Sequence, residues 1–158
     1  YKISKVIFFS RDLLSLSKIF SIFIFLPLPF SAIYFSDYNN YKIHNYYNDL
    51  NETKRILLEN NISESNLFLS DVEKDIQIDS KIDLVISLKS MGYHYPFETY
   101  LQLLVKCCNE NTIFIFDVIA DTFDEILFKK YFENIETIYE EKSIHSLKRL
   151  FCKGLRFN

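Results

Sequence analysis

The sequence predicts an α/β domain: a mainly parallel, twisted sheet with helices on both faces and an antiparallel strand pair at its C-terminal end. Three observations predict it. Short apolar runs alternate with helical patterns along the chain, as they do when each strand returns through a crossover. One run, at the start of DLVISLKSMGYHYP (Asp83 to Pro96), is apolar without alternation, which is how a parallel strand buried on both faces reads. The last two runs, Ile135 to Tyr139 and Ile144 to Phe151, are separated only by the polar turn Glu140 to Ser143, as in an antiparallel pair. At 158 residues, 49% hydrophobic and 17% aromatic, the chain has material for one core, and residues 1–158 read as a single domain.

The elements follow in order. KVIFF (Lys5 to Phe9) is a first strand, and Ser10 opens a helical pattern through Leu13, Leu14, Leu16 and Phe20. Residues Ile19 to Ser36 then carry no charge over 18 positions, with Lys2, Lys5, Arg11 and Lys18 before them, which is the pattern of a membrane anchor. Pro27 and Pro29 argue against one membrane helix, because each removes an amide donor. The preferred division is a helix end, a Pro-Leu-Pro turn and a second strand from Ala32 to Phe35.

A polar loop from Tyr38 to Tyr47 leads to a helix with Leu50, Lys54, Leu57 and Leu58 at helical spacing, stopped by Asn60 and Asn61. Asn66 to Ser70 is a third strand, Val72 to Lys81 a loop, and Asp83 to Ser87 the central strand. Pro96 suits the first turn of a helix through Phe97, Tyr100, Leu101, Leu104, Val105 and Cys108. Thr112 to Phe116 is the fifth strand, and Asp121 is the expected cap of a helix through Phe123, Ile126, Leu127 and Tyr131.

Composition narrows the function classes. A net charge of -3 without a long basic run argues against nucleic acid as a partner, because phosphate neutralisation needs clustered Lys and Arg. The C-terminal group Lys148, Arg149, Lys153 and Arg156 reads as a solvated or edge-blocking set. Cys107, Cys108 and Cys152 have neither zinc spacing nor an even count, so a reduced, cytoplasmic setting is the simplest reading. Cys107 and Cys108 are expected to point in different directions from one helix. The chain begins at Tyr1 rather than Met, which reads as a longer parent chain cut short or a start inside an open frame.

Asp37, Asp71 and Asp117 each close an apolar strand, and the loop Gly92 to Pro96 follows a fourth. In an open α/β sheet ligands bind in the crevice beyond the carboxyl ends of the strands, and an acidic residue after the second strand can accept both hydroxyls of a ribose. An aspartate at a strand end also caps turns, so each taken alone has an ordinary structural use. His94 is the histidine placed to act as a general base, since imidazole titrates near neutrality; between two tyrosines it also fits a purely structural hydrogen bond. Tyr93 and Tyr95 can stack on a ligand or pack on the sheet.

Four segments, AIYFSD (Ala32 to Asp37), YYNDLNETKRILLENNI (Tyr46 to Ile62), DLVISLKSMGYHYPFETYL (Asp83 to Leu101) and TIFIFDV (Thr112 to Val118), together resemble one family, over about residues 30 to 120. It is the class I S-adenosylmethionine-dependent methyltransferases, and within them bacterial enzymes acting on sugars or surface polysaccharides. The resemblance implies a Rossmann-like fold, S-adenosylmethionine as cofactor, and methyl transfer to a saccharide hydroxyl in polysaccharide biosynthesis. It implies that Asp37 holds the cofactor ribose, that Asp71 lies near the adenine, and that Ser87 and Gly92 line the site of transfer with His94 as base. The partners expected are a small molecule or saccharide, with no nucleic acid and no membrane.

The likeness breaks after the first strand. The family's glycine-rich loop belongs roughly 20 residues before the acidic residue of strand two, where backbone amides approach the cofactor. Here the window reads SRDLLSLS (Ser10 to Ser17), and the chain's two glycines, Gly92 and Gly154, are elsewhere. Two rival readings follow: a non-catalytic relative that keeps the sheet for binding, and a membrane-anchored protein held through residues 19–36.

Overall fold

Parallel strands with apolar side chains on both faces need cover on both sides, and the sheet obtains it. The computed structural model describes residues 3, 5–10, 32–37, 42–43, 46–47, 50–71, 78, 80–93, 95–141 and 146–156. Its main sheet has seven strands: β1 (Lys5–Ser10), β2 (Ala32–Asp37), β5 (Leu67–Asp71), β6 (Leu84–Leu88), β7 (Ile113–Ile119), β8 (Phe132–Glu141) and β9 (Leu147–Leu155). Two short strands, β3 (Lys42–Ile43) and β4 (Tyr46–Tyr47), pair with each other inside the segment expected to be a loop. The order across the sheet is β5-β2-β1-β6-β7-β9-β8. The first five in that order are parallel, and β9 runs antiparallel to both of its neighbours. This is the Rossmann-like α/β fold with a closing antiparallel pair that the sequence predicts.

Strand alternation assigns each side chain to a face. Ile7, Val85, Phe114, Phe116 and Val118 belong to a core shared with α2 (Glu98–Cys107) and α3 (Glu125–Tyr131). Val6, Ile86 and Leu88 belong to a second core with Leu57 of α1 (Leu50–Glu59). Helices therefore cover both faces. The larger core centres on Phe97, 2% exposed, whose ring lies 5.2 to 5.6 Å from those of Phe116, Phe128, Tyr131 and Phe132.

Polar groups at the N-terminal ends of the strands fix which residues pair. The Asp83 carboxylate accepts the Lys5 amide at 2.8 Å, while the Asp83 amide donates to the Lys5 carbonyl and the Ile113 amide to the Asp83 carbonyl, both at 2.9 Å. Buried Thr112 donates its hydroxyl to the Ile82 carbonyl at 2.7 Å and accepts the Asn109 amide at 3.0 Å. Lys81 closes the other side of the turn, its ammonium donating to the carbonyls of Lys106 and Cys108 at the end of α2.

Several sequence expectations change. Asp117 does not follow its strand: β7 runs on to Ile119, so Asp117 is inside the sheet, 1% exposed, and takes two hydrogen bonds from Arg149 at 2.7 and 3.0 Å. Arg149 is thus a partner within the sheet rather than a solvated edge residue. The longer strand also moves the next helix along, so Asp124, not Asp121, caps α3 by accepting the Leu127 amide at 3.0 Å. Cys107 and Cys108 do not point apart: Cys108 leaves helical geometry at φ -107, ψ 171, and their sulfurs come within 3.8 Å. The shared hydrogen bond, with burial, raises the Cys108 thiol above its usual range, and burial pushes Cys152 up to about 12.

Ala32 to Ser36 lies in β2, between β1 and β5, so these residues are not part of a membrane helix over 19–36. Residues 19–31, and the helix expected after Ser10, lie outside the described residues. Among the described residues no helix is long and apolar enough to cross a membrane.

Two substitutions test this account. Phe97→Ala is expected to lower stability by about 3–5 kcal/mol, the range for emptying a buried aromatic site, as measured by urea unfolding. Asp117→Asn is expected to cost about 2–4 kcal/mol, because it strands a mostly buried guanidinium that still reaches some water. The double variant Asp117→Leu with Arg149→Met is expected to unfold at a higher urea midpoint than Asp117→Asn. A double variant less stable than the single one shows that the pair, and not the isolated charge, carries the effect.

Candidate functional site

Five parallel strands deliver their C-terminal ends to one edge of the sheet, and the register sets how those ends line up. Asp71 of β5 pairs with Asp37 of β2. One residue earlier, Ser36 pairs with Phe9, Phe9 with Ser87 and Ser87 with Phe116. One step further along each strand, Asp71, Asp37, Ser10, Leu88 and Asp117 form a single transverse row, and Asp117 continues it to Arg149 and Tyr139. The three aspartates foreseen from the sequence therefore share one transverse row, which lies at the strand ends in β2 and β5 and two residues short of the end in β7.

They do not converge on one point. At roughly 4.8 Å per strand, Asp37 and Asp71 are immediate neighbours, whereas Asp117 is three strands from Asp37, about 14 Å away. Between them lies the gap between β1 and β6, where the chain's winding reverses and where open α/β sheets hold their ligands. Asp117 is bound to Arg149, whose guanidinium also stands 6.0 Å from the centre of the Tyr139 ring. Leu88, Lys89, Glu141 and Leu147 join these three around a cavity of about 260 Å³ at the β7–β9 side of the edge.

The loop after β6 is held from within. The Ser87 hydroxyl, fully buried, accepts the Met91 amide at 2.7 Å, and Met91 is itself fully buried in the larger core. Gly92 donates to the Tyr95 carbonyl at 2.8 Å, and both Tyr93 and Tyr95 donate to the Ser90 carbonyl at 3.1 Å. Gly92 has φ +78, where other residues are strained, and a Cβ there would stand 3.3 Å from Val118 and 3.4 Å from Phe128. Its missing side chain thus lets the loop sit down on β7 and α3. Lys89 takes φ 53 at the start of the turn.

Of the residues singled out from the sequence, Asp37 and Asp71 are adjacent, Ser87 lies in the strand beside β1, and Gly92 lies four residues beyond the end of β6 in the same loop. His94 and the window 11–17 fall outside the described residues. Lys89, Tyr139 and Arg149 were missed as edge residues. Nothing local in the sequence marks them, because Arg149 meets Asp117 only through the register of β9 against β7.

No protein-family model matches the chain, and no curated protein matches it. Solved structures do. An rRNA methylase from Streptococcus thermophilus aligns over 98% of this chain and 90% of its own, with TM-score 0.60 and 11% identity. Magnesium protoporphyrin IX methyltransferase from Synechocystis, solved with S-adenosylmethionine bound, aligns over 96% and 71%, with TM-score 0.58 and 16% identity. A tRNA methyltransferase from B. subtilis aligns over 97% of this chain and 61% of its own, with TM-score 0.55 and 14% identity. Two of these three are methylases of RNA, so the exclusion of nucleic acid drawn from net charge does not hold. A whole-chain sum says nothing about the local surface that meets a phosphate. The fold these proteins share with the chain is the Rossmann-like α/β sheet described above.

Proposed function

We propose that the chain binds S-adenosylmethionine across the β1–β6 gap and transfers its methyl group. The observation that supports this best is the pairing of Asp37 with Asp71 at adjacent strand ends, one strand from that gap. An acidic residue at the end of the second strand is suited to the two ribose hydroxyls, and one on the strand beside it to the adenine. When bound, the cofactor supplies an electrophilic methyl on a sulfonium. The residues at the edge contribute placement: Asp37 and Asp71 hold the nucleoside, and the Ser87–Gly92 segment borders the reacting centre, with proximity providing most of the rate. Occurrence of the fold in S-adenosylmethionine-dependent methyltransferases agrees with this reading.

The acceptor that the sequence resemblance implies is a saccharide hydroxyl, with His94 taking its proton as the new C–O bond forms. A second reading, methylation of an RNA base, is favoured by the tRNA and rRNA methylases among the solved structures. A non-catalytic binding module remains the rival to both.

Calorimetry with S-adenosylhomocysteine is expected to show binding in the micromolar range, weakened at least ten-fold by Asp37→Ala, about 1.4 kcal/mol. The absence of heat at millimolar ligand would leave the non-catalytic reading. Transfer of labelled methyl to oligosaccharide or to RNA decides the acceptor. His94→Ala is expected to spare cofactor binding and lower turnover, whereas equal loss of both contradicts its role as base.

A further inference from the structure

We infer that the hollow between the loop after β6 and the turn preceding α3 is a binding site for an organic cation, an alkylammonium carrying an aromatic or similarly sized apolar group. The hollow has a volume of about 340 Å³, enough for an amine with one ring. Tyr93 and Tyr95 approach from the loop, Phe97 forms part of the floor, and Phe123 stands on the far side. Glu98 and Asp124 supply its charge. Among the described residues no Lys, Arg or His lines it.

These features select the sign of the ligand. The face of an aromatic ring is negative, so it attracts an ammonium by about 0.5–2 kcal/mol and offers an anion nothing comparable. The two carboxylates, Glu98 and Asp124, act in the same direction. Neither is spent on a cation elsewhere: among the described residues, Glu98 and Asp124 form no ion pair. Asp124 uses one oxygen to cap α3 through the Leu127 amide, and its second oxygen is available.

The walls are also set in advance. Phe123 packs edge-on against Phe128 at 5.1 Å, Tyr95 edge-on against Tyr100 at 6.3 Å, and Phe97 is locked in the aromatic core. A ligand entering such a hollow orders few side chains, which preserves affinity. The inference rests on this hollow alone and needs no property of the cofactor site.

The test compares three probes of nearly equal size: phenethylamine, protonated at pH 7, neutral phenethyl alcohol, and anionic phenylacetate. Binding is followed by amide chemical shifts of the full chain. The amine is expected to bind about five- to thirty-fold more tightly than the alcohol, the equivalent of a cation–π and carboxylate contribution of about 1–2 kcal/mol, with phenylacetate not saturating. Glu98→Gln and Asp124→Asn are each expected to weaken the amine several-fold and leave the alcohol unchanged; asparagine keeps the helix cap, so the second variant retains the fold. Equal affinity for amine and alcohol, tighter binding of phenylacetate, equal competition by methyl glucoside, or no saturation by the amine at about ten millimolar would overturn the proposal. S-Adenosylhomocysteine binding, measured on the same samples, is expected to be unchanged in both variants. Its absence from the unaltered protein counts against the methyltransferase reading and leaves the cation site standing.

Discussion

One buried strand sets every distance at the candidate site. β6 is flanked on both sides by parallel partners, and from Val85 to Leu88 its side chains are buried on both faces. In a sheet, a shift of one residue exchanges the two faces. Here it would turn Val85 away from the α2 and α3 core and move Ile86 and Leu88 from the α1 core. Asp83 prevents that shift at the N-terminal end by engaging both neighbours, Lys5 of β1 and Ile113 of β7. The row at the opposite end, where Ser10 meets Leu88, follows a few residues later from that anchoring. The edge that can receive a ligand is thus positioned by hydrogen bonds at the other end of the same strands.

The edge is chemically asymmetric across the β1–β6 gap. On the β2 side, two aspartates stand at strand ends without an intervening strand. On the β7 side the one aspartate is consumed by Arg149, and Tyr139 stands beside the guanidinium. A carboxylate held by two charge-assisted bonds is a poor acceptor for anything else, since a competing ligand must first break a nearly buried pair. On the proposed reading a hydroxyl-bearing ligand would therefore meet the β2 side, while the β7 side behaves as a rigid wall. Replacing the pair with apolar residues would keep that wall, which is why its two halves are better regarded as structure than as chemistry.

What was legible in the sequence was what a local pattern can carry. The seven strands, the helices at 50–59 and 98–107 and the C-terminal hairpin each follow from apolar runs, helical spacing and turn residues. The shared edge of Asp37, Asp71 and the β6 loop followed as well, because parallel strands impose it. What failed depended on length or register. β7 continued three residues past the apolar TIFIF run, and that extension turned Asp117 from a strand-end residue into a buried one and transferred the cap of the next helix to Asp124. The Asp117–Arg149 pair needed the β7–β9 register. The contact between Cys107 and Cys108 needed the helix to stop between them, and the charge argument against RNA failed because it summed over a surface whose parts act separately.

The loop after β6 joins the two proposed sites. Its first residues leave the strand at the rim where Ser10 meets Leu88, and its last carry Tyr93 and Tyr95 into the aromatic hollow. Such a loop could be a hinge, but its internal bonds argue otherwise. Ser87 holds Met91, Met91 is buried in the core, and Gly92 lies close enough to Val118 and Phe128 that an added Cβ would already touch both. A loop seated on a strand and a helix moves with them, as closely packed groups do not deform continuously. Ligands at the rim and in the hollow would therefore meet one rigid body, and any influence of one on the other would pass through the position of β6, not through a flexible lid.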